Sequence, residues 1–216
     1  MLRLLFIALI CLVVASCNNK GTQKETQNDT LIKPDSLVNP LQIDDPTRDS
    51  ILLAMTSEVL TAFKNKHYDS LSLFVHPDEG VRFSPYAFID TTADQVISAQ
   101  VVKSWADPKN RVKILWGTTD PTDDPISLTI DGYVKRYVYD VDFVKPDSIR
   151  VNGFIGGGNT INNLAEIYKD CSFVESHFPG FQKKFNGMDW RSLRLVFKQK
   201  DDKFYLVGVV HDEWSI

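Results

Sequence analysis

The sequence predicts an α+β domain in which helices near the N-terminus pack on an antiparallel sheet that ends in a C-terminal hairpin. Between Leu52 and Phe63, apolar residues recur at intervals of three and four, which is the period of an amphipathic helix. Between Leu193 and Val210, apolar residues alternate on both sides of Asp201-Asp202, which is the pattern of a β-hairpin. Helices therefore come first and the long paired strands last.

Composition and charge narrow the class of protein. The chain has 216 residues, of which 43% are hydrophobic and 11% aromatic, and this is enough for one folded domain over residues 45–216. The formal net charge is −4 at pH 7, with no long run of like charge. Nucleic acid binding requires a basic face, so nucleic acid is excluded as a partner. The same charge balance excludes a polybasic contact with anionic lipid.

The N-terminus resembles the leader of a bacterial lipoprotein. Arg3 precedes an unbroken apolar run from Leu4 to Val14, which is too short for a membrane helix of about 20 apolar residues. Val14-Ala15-Ser16-Cys17 resembles a lipobox, and this implies a signal peptide over residues 1–16 and acyl chains such as palmitate on Cys17. The alternative is an ordinary cleaved signal followed by an incidental cysteine.

The segment 17–44 is expected to be a flexible tether between the lipid anchor and the domain. It is rich in polar residues and contains no aromatic residue, so it cannot bury enough apolar surface to fold. We therefore expect contact with the membrane through the acyl chains on Cys17 alone. Asn18 stands where enteric bacteria use aspartate for inner-membrane retention, which favours the outer membrane of the envelope, on its periplasmic or surface side.

The folded part is predicted to begin with a helix. Asp45 followed by Pro46 is typical of a helix start, because the acid caps free N–H groups and proline is tolerated at the first helical position. The apolar stripe extends this helix to about Lys66. Asp69 is then expected to cap a shorter turn over Ser70–Val75.

Shorter elements are predicted through the middle of the chain. Val81–Ile89 is predicted to be a strand interrupted at Pro85, and hence near an edge or a bulge. Thr92–Ser104 has its apolar residues on one helical face, and Ser127 is expected to cap a helix that ends near Asp140. Two further strands are predicted, over Val112–Trp116 and Ser148–Ile155. Apolar and polar residues alternate weakly in two more segments, Leu164–Tyr168 and Ser172–Phe178.

The return strand of the C-terminal hairpin is apolar on both faces. Strict alternation places Leu206 and Val210 on one face, and Val207 and Val209 on the other. A strand with two apolar faces is covered on both sides, so it is expected to be central in its sheet.

Two stretches, HPDEGVRFSPY at 76–86 and YLVGVVHDEWSI at 205–216, resemble a family of bacterial secreted proteins and lipoproteins. The likeness extends over most of the chain from Thr47 onward. The family brings no activity with it, but the resemblance implies a single unit similar to the cystatin-like or NTF2-like α+β arrangement. There, a curved antiparallel sheet wraps an amphipathic helix and leaves a cone-shaped pocket. Such a fold does not determine function.

The first of these stretches is a candidate for binding or catalysis. Histidine titrates near neutral pH, and arginine offers a planar fork to a carboxylate or phosphate. The alternative is a rigid turn in which an aspartate caps and the arginine pairs with a nearby acid. The candidate residues are His76, Asp78, Glu79, Arg82 and Tyr86.

The second stretch places His211, Asp212 and Trp214 directly after the predicted central strand. A pair of His76 with Asp212, or of His211 with Asp78, would provide a general base for a hydrolase or lyase. The alternative is a buried, hydrogen-bonded histidine beside a packing tryptophan.

Signatures for metals and cofactors are weak in this sequence. The four histidines are scattered, and there are no paired cysteines, EF-hand or phosphate loop, so no metal and no cofactor is expected. Asp120, Asp123 and Asp124 offer oxygen ligands for calcium but are more typical of a solvated turn. Cys171 is the one cysteine beyond Cys17, so no intramolecular disulfide is expected there, and it is interpreted as a small buried side chain.

The sequence therefore favours a noncatalytic binding module, for a small ligand or for another envelope protein. Aromatic residues can line a pocket for a sugar or an apolar ligand, although most are expected in the core. The alternatives are a hydrolase or lyase, and a structural protein that would expose an apolar patch. The candidate pocket aromatics are Phe83, Tyr86, Phe88, Trp116, Tyr133, Tyr137, Trp190 and Trp214.

Overall fold

The computed structural model describes residues 45–120 and 122–215. The predicted signal peptide, the lipidated Cys17 and the tether lie outside the described residues and stay predictions. Within the described residues, no helix is both long and apolar enough to cross a bilayer.

Five α-helices and eight β-strands make up the described part of the chain, which is therefore of the predicted α+β class. The helices are α1 (Pro46–Asn65), α2 (Tyr68–Leu71), α3 (Ala99–Ser104), α4 (Ile130–Tyr137) and α5 (Leu164–Ile167). The strands are β1 (Val81–Ser84), β2 (Gln95–Ile97), β3 (Ile114–Thr118), β4 (Pro125–Leu128), β5 (Ser148–Val151), β6 (Ser172–Phe178), β7 (Arg191–Lys200) and β8 (Lys203–Glu213).

Six strands form one sheet in the order β2-β1-β8-β7-β6-β5, while β3 and β4 form a separate two-stranded sheet. Neighbours in the larger sheet are antiparallel, except that β1 runs parallel to β8. The prediction of a wholly antiparallel sheet is therefore wrong. The strand β8 lies between β1 and β7, which confirms that the return strand of the hairpin is central.

Helix α1 forms where its local signals predict it. The carboxylate of Asp45 accepts hydrogen bonds from two backbone N–H groups of the first turn, and Pro46 begins the helix. Lys66 adopts a left-handed conformation and ends the helix. The apolar stripe, including Leu52 and Phe63, is buried in the larger of two apolar clusters.

A β-bulge in β8 sets which side chains share a face. Phe197 of β7 pairs with Leu206, and the preceding Val196 pairs with Gly208, so Val207 is an extra residue. The prediction of strict alternation is therefore wrong beyond Leu206. After the bulge, Val209 packs into the larger cluster together with Leu206. Val210 packs into the smaller cluster together with Val207.

The segment Thr92–Ser104 is not the single helix predicted. Gln95–Ile97 pairs with β1 as strand β2, and Ser98 then caps α3 by accepting a hydrogen bond from the N–H of Val101 at 3.4 Å. Since Val96 and Ile97 are β-branched, they suit a strand, and pairing with β1 decides their conformation.

Other boundaries differ from the predictions in ways that concern the site. The strand predicted to Ile89 ends at Ser84, before Pro85, and β1 is an internal strand of its sheet. Ser127 lies within β4, and Thr129 caps α4 instead, since its hydroxyl accepts from the N–H of Gly132 at 3.3 Å. The turn predicted over Ser70–Val75 is helix α2, which begins two residues earlier at Tyr68. His67 stands at its N-cap position, so the prediction that Asp69 caps it is wrong.

Candidate functional site

A pocket of about 420 Å³ opens beyond the end of β1. Its wall comes from the stretch 85–94 after β1, from the end of β3 and the turn that follows, and from Thr160 and Ile161. The chain leaves the sheet at Pro85, which has no N–H to donate to a neighbouring strand. The following loop contributes the rings of Tyr86 and Phe88 to the pocket.

Asp94 is the buried acid of this pocket, with 8% of the residue exposed. Its Oδ2 accepts hydrogen bonds from the hydroxyl of Ser84 at 2.5 Å and from the N–H of Asp90 at 3.0 Å. Burial disfavours the charged form and raises the pKa of Asp94 to about 6. The second oxygen, Oδ1, lies beside Gly117, where an added Cβ atom would be 3.8 Å away. Asp94 is one of the residues that line the pocket.

The lining of the pocket is acidic and aromatic. Its described residues include no lysine or arginine but four aspartates: Asp90, Asp94, Asp120 and Asp123. The ring of Phe88 is partly open to solvent, since this residue is 48% exposed. Carboxylates attract cations, and the face of an aromatic ring also attracts them. The lining therefore suits a small organic cation.

Arg82 supports the pocket from β1 and does not line it. Its Nη1 donates hydrogen bonds to the carbonyl oxygens of Thr91 at 3.4 Å and Asp94 at 3.1 Å. These contacts fix the backbone on which the Asp94 carboxylate is mounted. Arg82 is thus a positioning residue for the acid, and its guanidinium is not directed at a ligand of this pocket.

His76 organises a turn away from this pocket. It is 3% exposed, and its Nδ1 accepts hydrogen bonds from the N–H groups of Asp78 at 3.3 Å and Glu79 at 3.0 Å. Glu79 pairs with Lys198 at 2.5 Å, and Asp78 pairs with Lys200. These contacts make the first stretch a turn, as in the alternative, but His76 and not Asp78 accepts its backbone N–H groups. Arg82 donates to backbone carbonyls and not to an acid. Of the five candidate residues in this stretch, the structure brings Tyr86 to the pocket.

His211 is fully buried, and its carboxylate neighbour is Asp140 and not Asp78. Its Nε2 lies 3.5 Å from Oδ1 of Asp140, and its Nδ1 lies 3.3 Å from the carbonyl oxygen of Pro85. Asp78 is instead engaged by Lys200 on the surface. The structure therefore brings together neither His211 with Asp78 nor His76 with Asp212, the two pairs that would have provided a general base.

Asp212 belongs to a buried ionic network on the other face of β8. Nη2 of Arg194 donates to Oδ2 of Asp212 at 2.7 Å and to the carbonyl oxygen of Gly156 at 3.1 Å, and Nε donates to Oε2 of Glu175 at 3.1 Å. The hydroxyl of Ser192 donates to Glu175 at 2.5 Å. Burial raises the pKa of Asp212. All its members are closed off from solvent, so the network holds the sheet together and is not a binding site.

Two remaining candidates do not take part in the pocket. Trp214 is 41% exposed, so it is not the packing residue expected beside His211. Burial raises the pKa of the Cys171 thiol to about 11, which keeps it protonated and poorly nucleophilic at neutral pH.

Asp94 and Asp140 are the side chains that sequence reasoning missed. Asp94 falls in a stretch whose apolar spacing resembles that of a helix. Its hydrogen-bond partner Ser84 is distant in the sequence and belongs to β1. The sequence Asp90-Thr91-Thr92 was the available signal, because aspartate before such residues favours a turn. Indeed, Oδ1 of Asp90 accepts hydrogen bonds from the N–H and the hydroxyl of Thr92.

Comparisons with known proteins add little to this geometry. No protein-family model and no curated protein matches the chain. Among solved structures, the chain is similar to a Xanthomonas campestris protein described as a calcium/calmodulin dependent protein kinase II association domain. The identity is 10%, the match covers 80% of this chain and 89% of that chain, and the TM-score is 0.31. At that TM-score the likeness carries no argument about fold or function.

Proposed function

We propose that this chain is a lipid-anchored protein of the bacterial envelope, held at the outer membrane through Cys17, whose domain is a noncatalytic binding module. Its ligand is a small organic cation that enters the pocket of Tyr86, Phe88 and Asp94. The observation that carries this proposal is a buried carboxylate and two aromatic rings in one pocket, whose described lining has no basic side chain. An amine or a quaternary ammonium group complements both the carboxylate and the rings.

The cystatin-like or NTF2-like arrangement is part of the same proposal. It is supported by the packing of amphipathic α1 against β5 and β6. The pocket differs from the one that the resemblance implies, because loops after β1 and β3 line it in place of a helix enclosed by a curved sheet. The ligand class is therefore argued from the lining residues and not from the fold.

We expect Asp94→Asn to weaken the binding of choline or tetramethylammonium by at least about tenfold at pH 7, because the buried charge is lost. In the wild type, affinity should rise about tenfold between pH 5 and pH 7, as a carboxyl with a pKa of about 6 ionises. Isothermal titration calorimetry of the full chain in detergent measures both effects, with glucose and acetate as comparison ligands.

The matched control is Asp120→Asn, which removes an exposed carboxylate at the same pocket and should change affinity far less. In the folded protein, burial raises the pKa of Asp94 from its usual 3.8 to about 6. The protonated carboxyl therefore stabilises the fold fully below about pH 4, and this stabilisation is lost as the pH rises through about 6. Asp94→Asn should remove that pH dependence. Equal binding by wild type and Asp94→Asn would contradict the proposal, and preferential binding of glucose would reassign the pocket to sugars.

The anchor makes a separate prediction. Cys17→Ser removes the thiol that receives the acyl chains, so the protein should move from the membrane pellet to the soluble fraction after cell fractionation. Cys171→Ser is the matched control, because this cysteine lies within the folded domain and should leave fractionation unchanged. Membrane association that persists in Cys17→Ser would overturn the lipobox interpretation.

A further inference from the structure

Three potential metal ligands converge between the end of β8 and the segment after α4. His211 and Glu213 are alternate residues of β8 and so point to one face of the sheet, where Asp140 meets them. One ligand atom from each residue lies within 4.8 Å of the other two. This cluster is separate from the Asp94 pocket, and the inference below is independent of the proposed ligand.

The hydrogen-bonding of His211 leaves a lone pair directed at a carboxylate. Its Nδ1 faces the carbonyl oxygen of Pro85 at 3.3 Å, and because a carbonyl oxygen accepts only, Nδ1 carries the hydrogen. In that tautomer Nε2 bears a lone pair, which faces Oδ1 of Asp140 at 3.5 Å. Both atoms are buried, and neither has a hydrogen-bond partner among the described residues. Two lone pairs face each other stably only when a cation lies between them.

The separation favours a metal ion over a proton as that cation. A hydrogen bond between nitrogen and oxygen spans about 2.7–3.2 Å, which is shorter than the observed 3.5 Å. Two ligands of a tetrahedral ion with bonds of about 2.0–2.1 Å stand roughly 3.3 Å apart, which is close to the observed separation. A histidine that ligates a metal commonly donates its other ring N–H to a backbone carbonyl, as His211 does to Pro85.

Two arginines bind the carboxylates of this cluster, and Arg191 bridges Asp140 and Glu213. Nε of Arg191 lies 2.8 Å from Oδ2 of Asp140 and 3.2 Å from Oε2 of Glu213, and Nη2 of Arg136 lies 2.5 Å from Oε1 of Glu213. Each carboxylate oxygen has two acceptor sites, so Glu213 can coordinate an ion while it accepts from arginine. The guanidinium groups orient the ligands, although their charge lowers the affinity for a cation.

We propose that Asp140, His211 and Glu213 bind a zinc ion, with a remaining coordination position for water. An imidazole nitrogen with two carboxylate oxygens suits zinc, whereas calcium prefers oxygen ligands alone. The carbonyl of Pro85 is the outer contact that orients His211. Since Tyr86 follows Pro85 and lines the Asp94 pocket, the metal also fixes the start of the pocket loop.

The test is zinc uptake by the full chain in detergent after treatment with a chelator. We expect one zinc per chain in competition with a chromophoric chelator, and a rise in melting temperature of roughly 5 to 10 °C when zinc is about a hundred times its dissociation constant. Cobalt should replace zinc and give the visible absorption of a four-coordinate ion. His211→Gln and Glu213→Gln should each weaken zinc binding by at least about tenfold.

His177→Gln is the matched control, because His177 is also buried in the sheet but contacts Ser192 at 2.8 Å and lies outside the cluster. It should take up zinc as the wild type does. If His211→Gln does not fold, Glu213→Gln carries the test, since Glu213 lies at the end of β8. Absence of zinc uptake by the wild type overturns the proposal. Uptake that is unchanged in Glu213→Gln also overturns it, because the zinc then binds elsewhere.

Discussion

Arg194→Met should destabilise the domain by about 3–5 kcal/mol, because it leaves two buried carboxylates without their shared cation. The guanidinium lies between Glu175 and Asp212, and all three residues are almost completely buried. Methionine fills part of the volume but donates no hydrogen bond. For a domain of this size the melting temperature should fall by roughly 6 to 20 °C. Urea unfolding followed by tryptophan fluorescence measures the free energy of unfolding.

Two further variants separate lost charge compensation from lost volume. Arg150→Met removes an exposed arginine of β5 and should change the free energy of unfolding by less than about 1 kcal/mol. The triple variant Glu175→Gln, Arg194→Met and Asp212→Asn should recover much of the loss, because amide oxygens still accept hydrogen bonds while no buried charge stays unpaired. A single Arg194→Met variant as stable as wild type would show that the network contributes little.

Local signals were sufficient for the elements at the two ends of the domain. The acid and proline at 45–46 specify the start of α1, and alternation around Asp201-Asp202 specifies the hairpin, because each signal lies within the element it determines. Pairing between distant segments has no such signal. The parallel contact of β1 with β8, and the conversion of Gln95–Ile97 to a strand, depend on partners elsewhere in the chain.

The bulge at Val207 shows why the candidate sites were harder to predict than the fold. One extra residue reverses which side chains share a face, so counting alternate positions wrongly assigned Val209 to the face of Val207. The structure places His211 with Val209 on the side of the larger cluster, where Asp140 reaches it. Assigning alternate residues of a strand to opposite faces cannot reveal an unpaired residue within an apolar run.

The density of reactive side chains in a stretch also proved a poor guide. The segment 76–86 is the richest in such residues, yet most of them build a turn or hold the backbone. The pKa of Asp94 is raised because the surrounding residues bury its carboxyl, and burial is a property of the folded chain. Tyr86 was predicted as an aromatic member of that stretch, and it lines the pocket because it follows Pro85, where the chain leaves β1.

Phe83→Ala should cost about 3–5 kcal/mol in the free energy of unfolding, which is the other large effect that we expect. Phe83 is fully buried in the internal strand β1. Its ring packs edge-on against Phe63 at 6.3 Å, Trp116 at 5.5 Å and Tyr133 at 5.7 Å between ring centroids. Alanine would leave a cavity that three rigid rings cannot fill. Chemical denaturation measures the loss.

Phe88→Ala is the matched control, because it removes the same type of side chain from the loop after Pro85, where the residue is 48% exposed. It should cost less than about 1 kcal/mol of stability and yet weaken the binding of an organic cation, because its ring lines the pocket. Phe83→Ala should do the reverse at temperatures where it remains folded. If both variants lose stability equally, the loop after β1 is packed as tightly as the core, and a pocket that depends on an accessible Phe88 ring is untenable.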